Sequence, residues 1–311
     1  MNKNLDLSVQ LAPQHKKDLR LSNPVMTASG TFGYGTEYGN GPDVRKLGAI
    51  VCKGTTCESR DGNPQPRLAE TPGGMLNAIG LQNIGVKALI RDKAPVWAGW
   101  TVPVIVNIAG ATIDEYARIA RELEGVPGIS AIELNISCPN VREGGSEFGA
   151  LPGPAAEVTG AVKKASSLPL IVKLTPNTGD IVGVARAVAG AGADALTLIN
   201  TLAGMAIDIR SRRPLLGNKT GGLSGPAIKP VALRMVYQVT GAVDVPVIGC
   251  GGITSGEDAV EFFLAGASAV QVGSATFLNP EAPWDVLEGI EAFMRREGIR
   301  SITELVGAAR R

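Results

Sequence analysis

Histidine is all but missing from this chain: His15 is the only one in 311 residues. It sits in the polar opening stretch and reads as a surface residue, so a histidine general base or a histidine-ligated metal has no candidate. Cysteine is scarce too. Cys52, Cys57, Cys138 and Cys250 form no CxxC pair, which argues against a zinc site, an iron–sulfur cluster and a disulfide framework. Neither sign of charge is in excess, with 30 Lys and Arg against 29 Asp and Glu. A chain so balanced has no basic surplus to hold a nucleic-acid backbone. No charge-free apolar run is long enough to span a bilayer, and the opening MNKNLDLSVQLAPQHKKDLR lacks the continuous apolar segment of a secretory signal. The expectation is a cytoplasmic protein with a small-molecule ligand and no membrane attachment.

Aromatic residues make up only 4%, while glycine, at 40 residues, is well above its usual share. Many tight strand-to-helix turns would account for that. Eight strand-like segments follow one another: PVMTAS from Pro24, AIVCKG from Ala49, VPVIVNIAG from Val102, AIELNISC from Ala131, LPLIVKLTP from Leu168, ALTLIN from Ala195, VPVIGCGG from Val245 and AVQVGS from Ala269. Most are near-continuous apolar runs, as a parallel sheet covered on both faces requires. Helix-period stretches lie between them at Asp114 to Glu124, Pro154 to Ser166, Asp180 to Ala191, Lys229 to Thr240, Glu257 to Leu264 and Trp284 to Arg296. This alternation predicts an α/β fold, a (β/α)8 TIM barrel in a single domain over residues 1–311. Leu5 to Leu11 and Leu19 to Leu21 read as an N-terminal β-hairpin capping the closed end. Three long connections, Thr55 to Gln82, Pro139 to Gly153 and Asn200 to Ala227, follow C-terminal strand ends. That is the face where this fold builds its active sites, so they should form the walls and lid of a pocket.

Residues 131–151, AIELNISCPNVREGGSEFGAL, carry the densest chemistry. Ile132, Leu134 and Ile136 recur at strand spacing, and Asn135, Ser137 and Cys138 then bring polar and nucleophilic groups to the C-terminal end of that strand. The run with Gly144, Gly145 and Gly149 reads as a mobile cover. Taken alone, Cys138 fits a buried core thiol equally well. Other strand ends contribute Ser29, Lys53, Asn107, Lys173, Asn200 and Thr201, and the loop NAIGLQN adds Asn77 and Asn83. Carboxamides pair with both the donors and the acceptors of a planar amide-rich ring, and lysines suit a carboxylate or a reduced, anionic cofactor. Gly251 and Gly252 end the seventh strand, and Gly273 and Ser274 the eighth. With the hydroxyls of Thr254 and Ser255 just beyond, they imply a phosphorylated ligand. Gly190, Gly192 and Ala195 satisfy the GxGxxA spacing, but they follow a helix and precede a strand, the reverse of a dinucleotide-binding turn.

These residues resemble the class 1 dihydroorotate dehydrogenases. The matching motifs are TASGTFGYG from Thr27, CKGTT from Cys52, NAIGLQN from Asn77, NISCPN from Asn135, VKLTPN from Val172, LINT from Leu198, GGLSGP from Gly221, GCGGI from Gly249 and VGSA from Val272, in barrel order over most of the chain. The segment NVREGGSEFG after the cysteine is most similar to subclass B. Membrane-bound class 2 enzymes, with serine as the base, resemble the chain less. The resemblance implies FMN held by Ser29, Lys53, Gly54, Asn107, Asn135, Lys173, Ile199, Gly225, Gly251, Gly252, Gly273 and Ser274. Dihydroorotate would lie against Lys53, Asn77, Ala78, Ile79, Gly80, Leu81, Asn135, Asn200 and Thr201. Cys138 would take a proton as the general base while flavin N5 takes the hydride, giving orotate in pyrimidine biosynthesis. Ser274 stands where many relatives have threonine. Subclass B further implies a homodimer core joined to an electron-transfer subunit with FAD and an iron–sulfur cluster, a heterotetramer that reduces NAD. The alternatives are a subclass A enzyme using fumarate, another FMN barrel acting on pyrimidines, and a non-enzymatic barrel that binds a phosphorylated ligand.

Overall fold

The computed structural model describes residues 5–38, 43–137 and 148–310. Eight strands form one parallel sheet: β1 Val25–Thr27, β2 Ile50–Val51, β3 Val104–Ile108, β4 Ala131–Asn135, β5 Leu170–Leu174, β6 Ala195–Leu198, β7 Val247–Cys250 and β8 Ala269–Val272. Each lies beside its successor, β8 returns to β1 through Val270–Val25 register, and a parallel bridge between Met26 and Ala49 joins β1 to β2. The sheet is therefore a barrel. Every residue of β3 and β5 is buried, which explains why these segments read as near-continuous apolar runs with no solvent-facing alternation. Each fully buried Ile, Leu or Val contributes about 1.5–3 kcal/mol of transfer free energy.

The outer layer comprises α1 Val86–Asp92, α2 Ile113–Leu123, α3 Pro152–Ala165, α4 Ile181–Gly190, α5 Lys229–Thr240, α6 Gly256–Ala265 and α7 Ala282–Glu297. In α2 the buried residues Tyr116, Ile119, Ala120 and Leu123 repeat at helical spacing, and Thr112 caps the helix by accepting from the Glu115 N–H at 3.2 Å. The helix α1 and the short turn Ala94–Trp97 after it fill the β2–β3 crossover, where the hydrophobic pattern gave no helix. Gly190 closes α4 and Ala195 opens β6, so the glycine pattern there is a helix-to-strand turn.

Ahead of β1, Val9–Gln10 pairs antiparallel with Arg20–Leu21. This hairpin is shorter than the apolar spacing suggests, with fully buried Leu11 and Leu21 anchoring it to the core. At the opposite end two of the long connections pair with each other. Leu202–Gly204, Gly221–Ser224, Gly74–Asn77 and Leu68–Thr71 make an antiparallel four-stranded sheet in that order. Glycine permits the close pairing: a Cβ on Gly221 would stand 2.5 Å from the Asn77 carbonyl oxygen.

Candidate active site

A cavity of about 840 Å³ opens at the carboxyl ends of the barrel strands, beneath that small sheet. Its wall includes Ser29, Lys53, Gly54, Asn107, Asn135, Lys173, Ile199, Gly225, Gly251, Gly252, Gly273 and Ser274, together with Asn77, Ala78, Ile79, Gly80, Leu81, Asn200 and Thr201. Strand ends and loops far apart in sequence thus converge on one volume. Cys138, Gly144 and Gly145 lie outside the described residues.

The polar groups are oriented by one another. Asn200 donates from Nδ2 to Asn135 Oδ1 at 3.1 Å and to Ser137 Oγ at 2.9 Å, while its own Oδ1 accepts from the Thr201 N–H at 2.8 Å. Tyr116 on α2 donates its hydroxyl to the Asn135 carbonyl at 2.6 Å, tying the end of β4 to the outer layer. Asn77 donates to the Gly222 carbonyl at 3.2 Å across the small sheet. Lys53 is half-buried and its ammonium makes no hydrogen bond or ion pair among the described residues. Burial, with a smaller contribution from Arg67, lowers its pKa. A cation that has lost water without gaining a partner is a receptor for an anion.

Lys173 is almost fully buried; it donates to Gln271 Oε1 at 3.1 Å and lies 3.9 Å from Cys250 Sγ. Burial opposes its charge, yet the Cys250 sulfur and the Glu133 carboxylate hold its pKa above the ordinary lysine value. Burial also pushes the Cys250 thiol up. The Cys52 thiol, wholly buried beside Lys53, is pushed up to about 12, chiefly by burial, and is inert at neutral pH.

Gly251 and Gly252, after β7, have φ of 125° and 77°, and Gly225 has 97°. Substitution is crowded as well as strained: a Cβ on Gly252 would stand 2.7 Å from Lys229 Cβ, and one on Gly225 2.7 Å from Gly74 Cα. The backbone N–H groups of Gly251, Gly252, Gly273 and Ser274 make no hydrogen bond among the described residues. Together they form a cradle of open donors suited to an anion.

Two expected members are engaged elsewhere. Asn83 is buried and spends its amide on Thr56 Oγ1 at 2.8 Å and the Leu81 carbonyl at 2.7 Å, so it shapes the loop without lining the cavity. Thr254 Oγ1 donates to Asp258 Oδ2 at 2.7 Å, and Ser255 Oγ accepts from the Asp258 N–H at 3.2 Å. Ser255 caps α6, and the Thr254 hydroxyl is taken by the Asp258 carboxylate. Ser137, read at the end of its strand, does line the cavity; the residue patterns passed over Asn177 and Cys250, which also line it, and Glu133, Thr197 and Gln271, fully buried beneath it. The last three had a legible signal: each is a polar residue inside an apolar strand that has no solvent face to receive it.

Fold and site together define a (β/α)8 barrel whose cavity has a cationic lining and a cradle of open N–H donors, a site suited to an anionic ligand. The profile described as Dihydroorotate dehydrogenase matches residues 12–294. This chain belongs to the dihydroorotate dehydrogenase family, on the side of class 1, subclass B. It is 56% identical over 303 residues, 97% of this chain and 98% of the other, to the "Dihydroorotate dehydrogenase B (NAD(+)), catalytic subunit" of Pelobacter propionicus. Proteins with the same description from Trichlorobacter lovleyi, 59% identical over 290 residues (93% and 95%), and Desulforamulus reducens, 56% over 305 (98% and 99%), are similar to it. Among the described residues no helix is long and apolar enough to cross a membrane, and no cluster of His, Cys, Asp or Glu could hold a metal.

Proposed function

We propose that the chain oxidises dihydroorotate to orotate with FMN as cofactor, and that the electrons leave through a partner subunit to NAD. The observation that carries this reading is the Lys53 ammonium, without a partner among the described residues, in the same cavity as the carboxamides of Asn77, Asn135 and Asn200. Dihydroorotate is an amide-rich ring with one carboxylate, and this set offers a cation for the carboxylate and carboxamides for the ring's N–H and C=O groups.

The residues present fit FMN. The open N–H groups of Gly251, Gly252, Gly273 and Ser274 suit its phosphate, and the glycine conformations keep side chains out of that space. Bound FMN supplies the hydride acceptor at N5. Lys53 binds and orients the substrate carboxylate, Asn77 and Asn200 fix the ring, and Lys173 keeps a positive charge against the electrons that arrive. Cys138 removes the proton, an assignment that rests on the motif NISCPN.

The relatives' descriptions name NAD(+) and a catalytic subunit, which supports a division of labour. In this reading a homodimer of the chain carries two copies of an FAD and iron–sulfur subunit. No cysteine set in this chain could hold such a cluster. The test is to purify the chain, record its visible spectrum, and assay dihydroorotate with NAD before and after adding that subunit. A flavin spectrum and NAD reduction only with the subunit are expected. Efficient NAD or fumarate reduction by the chain alone refutes the division of labour, and a colourless chain that takes up no FMN refutes the cofactor.

A further inference from the structure

We infer that Glu133 is a positioning residue: its buried carboxylate sets the donor and acceptor pattern of the cavity floor on which the cofactor rests. Glu133, on β4, is fully buried inside the barrel. Asn107 Nδ2 on β3 donates to its Oε1 at 2.8 Å. Thr197 Oγ1 on β6 and Gln271 Nε2 on β8 donate to its Oε2 at 3.0 and 2.5 Å. One carboxylate therefore holds side chains from three other strands, where such barrels usually pack branched apolar residues.

The consequence follows from what a carboxylate can do. It only accepts, so the amide NH2 ends of Asn107 and Gln271 must face it, and their carbonyl ends must face away. Asn107 Oδ1 then lies at the cavity wall, 2.9 Å from where a Cβ on Gly54 would stand. That contact is one reason residue 54 is glycine. Gln271 Oε1 is left to accept from Lys173 Nζ at 3.1 Å, which fixes the ammonium while leaving it other N–H donors for the cavity. Glu133 does not itself line the cavity. It acts through Asn107, Gln271 and Lys173, turning one buried charge into an acceptor at one point of the floor and a cation at another.

Glutamine at 133 keeps the volume but offers both a donor and an acceptor. Asn107 or Gln271 can then reverse, putting an NH2 where the floor presents an oxygen. The inference rests on the FMN reading, and charge alone makes the opposite prediction. FMN is an anion, so removing a buried carboxylate leaves its affinity unchanged or higher, whereas losing the floor pattern lowers it.

The experiment strips FMN from the purified chain and titrates it back by flavin fluorescence, for the wild type and Glu133→Gln, with thermal unfolding as the fold control. The wild type must bind FMN; if it does not, the cofactor reading fails and this inference with it. If the wild type binds, Glu133→Gln is expected to weaken FMN at least tenfold, and Glu133→Asp, which remains acceptor-only, to recover part of the loss. Equal or tighter binding by Glu133→Gln overturns the inference. So does an equal loss in Ile171→Val, a buried β5 change outside the cavity lining that tests for general loosening. Should Glu133→Gln not fold, Gln271→Met decides. It cuts the link to Lys173 while leaving Glu133 two donors, and weaker FMN binding supports the inference where unchanged binding overturns it.

Discussion

Replacing Lys53 with methionine removes one ammonium and keeps most of the apolar stem, so packing is nearly conserved. The structure fixes the sign of two effects. In the free protein the ammonium is half-buried without a counter-ion among the described residues, and burial lowers its pKa. Removing it relieves a desolvation cost, so the variant unfolds at the same temperature as the wild type or higher. With an anion bound, the same group is one half of a charge pair. Losing one partner of a buried pair costs about 2–5 kcal/mol, and for a half-buried lysine the lower end applies, about 2 kcal/mol or roughly thirtyfold in orotate Kd. The pH dependence follows. Because the folded-state pKa lies below the ordinary value of 10.5, orotate affinity falls as pH climbs through that depressed value. Over the same interval, up to 10.5, the unfolded lysine still holds its proton, so the stability of the free protein rises with pH. Titrating orotate into flavin-loaded protein across alkaline pH, beside thermal scans, measures both. Undiminished orotate affinity in folded Lys53→Met, or an alkaline loss of affinity that persists in it, refutes the role.

Cys138→Ala should bind FMN normally but reduce it about 10²-fold more slowly with dihydroorotate, and the wild-type rate should rise with pH through the thiol's pKa, both by rapid mixing. Gly252→Ala, with φ of 77° and a Cβ 2.7 Å from Lys229 Cβ, should lose about 1–3 kcal/mol of stability and most bound FMN, whereas Gly273→Ala, whose Cβ would meet Ala28 Cβ at 3.3 Å and Thr31 Oγ1 at 3.9 Å, should lose less; thermal unfolding and flavin content compare them. Asn200→Asp opposes a carboxylate to Asn135 Oδ1, now 3.1 Å from the amide nitrogen, and should weaken orotate by about 1–3 kcal/mol, read by titration. The hydroxyls of Ser166 and Ser167 hold the Glu124 carboxyl at about 2 against an ordinary 4.5. Its contribution to stability is therefore present above 4.5 and lost as pH falls towards 2, and Ser166→Ala should flatten that acid limb in thermal scans.

The barrel was legible because parallel strands buried on both faces leave near-continuous apolar runs, and β3 and β5 are buried along their whole length. The sheet over the mouth was not, since GMLN at Gly74–Asn77 and GGLS at Gly221–Ser224 have neither apolar alternation nor β-branched residues. Their pairing depends on backbone approach that only tertiary structure reveals. Strand-end amides and lysines could be placed by counting, which brought Asn107, Asn135 and Lys173 to one wall. Partners could not. Asn83 looked like Asn77 in sequence, but nearby Thr56 takes its amide, and Thr254 and Ser255 looked like phosphate ligands until Asp258 claimed both. The Glu133 network includes a bond between residues 138 apart along the chain and needs barrel closure to exist.

The most direct test of the central claim is to mix the flavin-loaded chain with dihydroorotate without oxygen and follow its visible absorbance. Full bleaching of the flavin with appearance of one orotate per flavin is expected, and dihydrouracil, which lacks the carboxylate that Lys53 receives, should leave the colour unchanged. A flavin that stays oxidised with dihydroorotate, or that is bleached equally by dihydrouracil, would contradict the account.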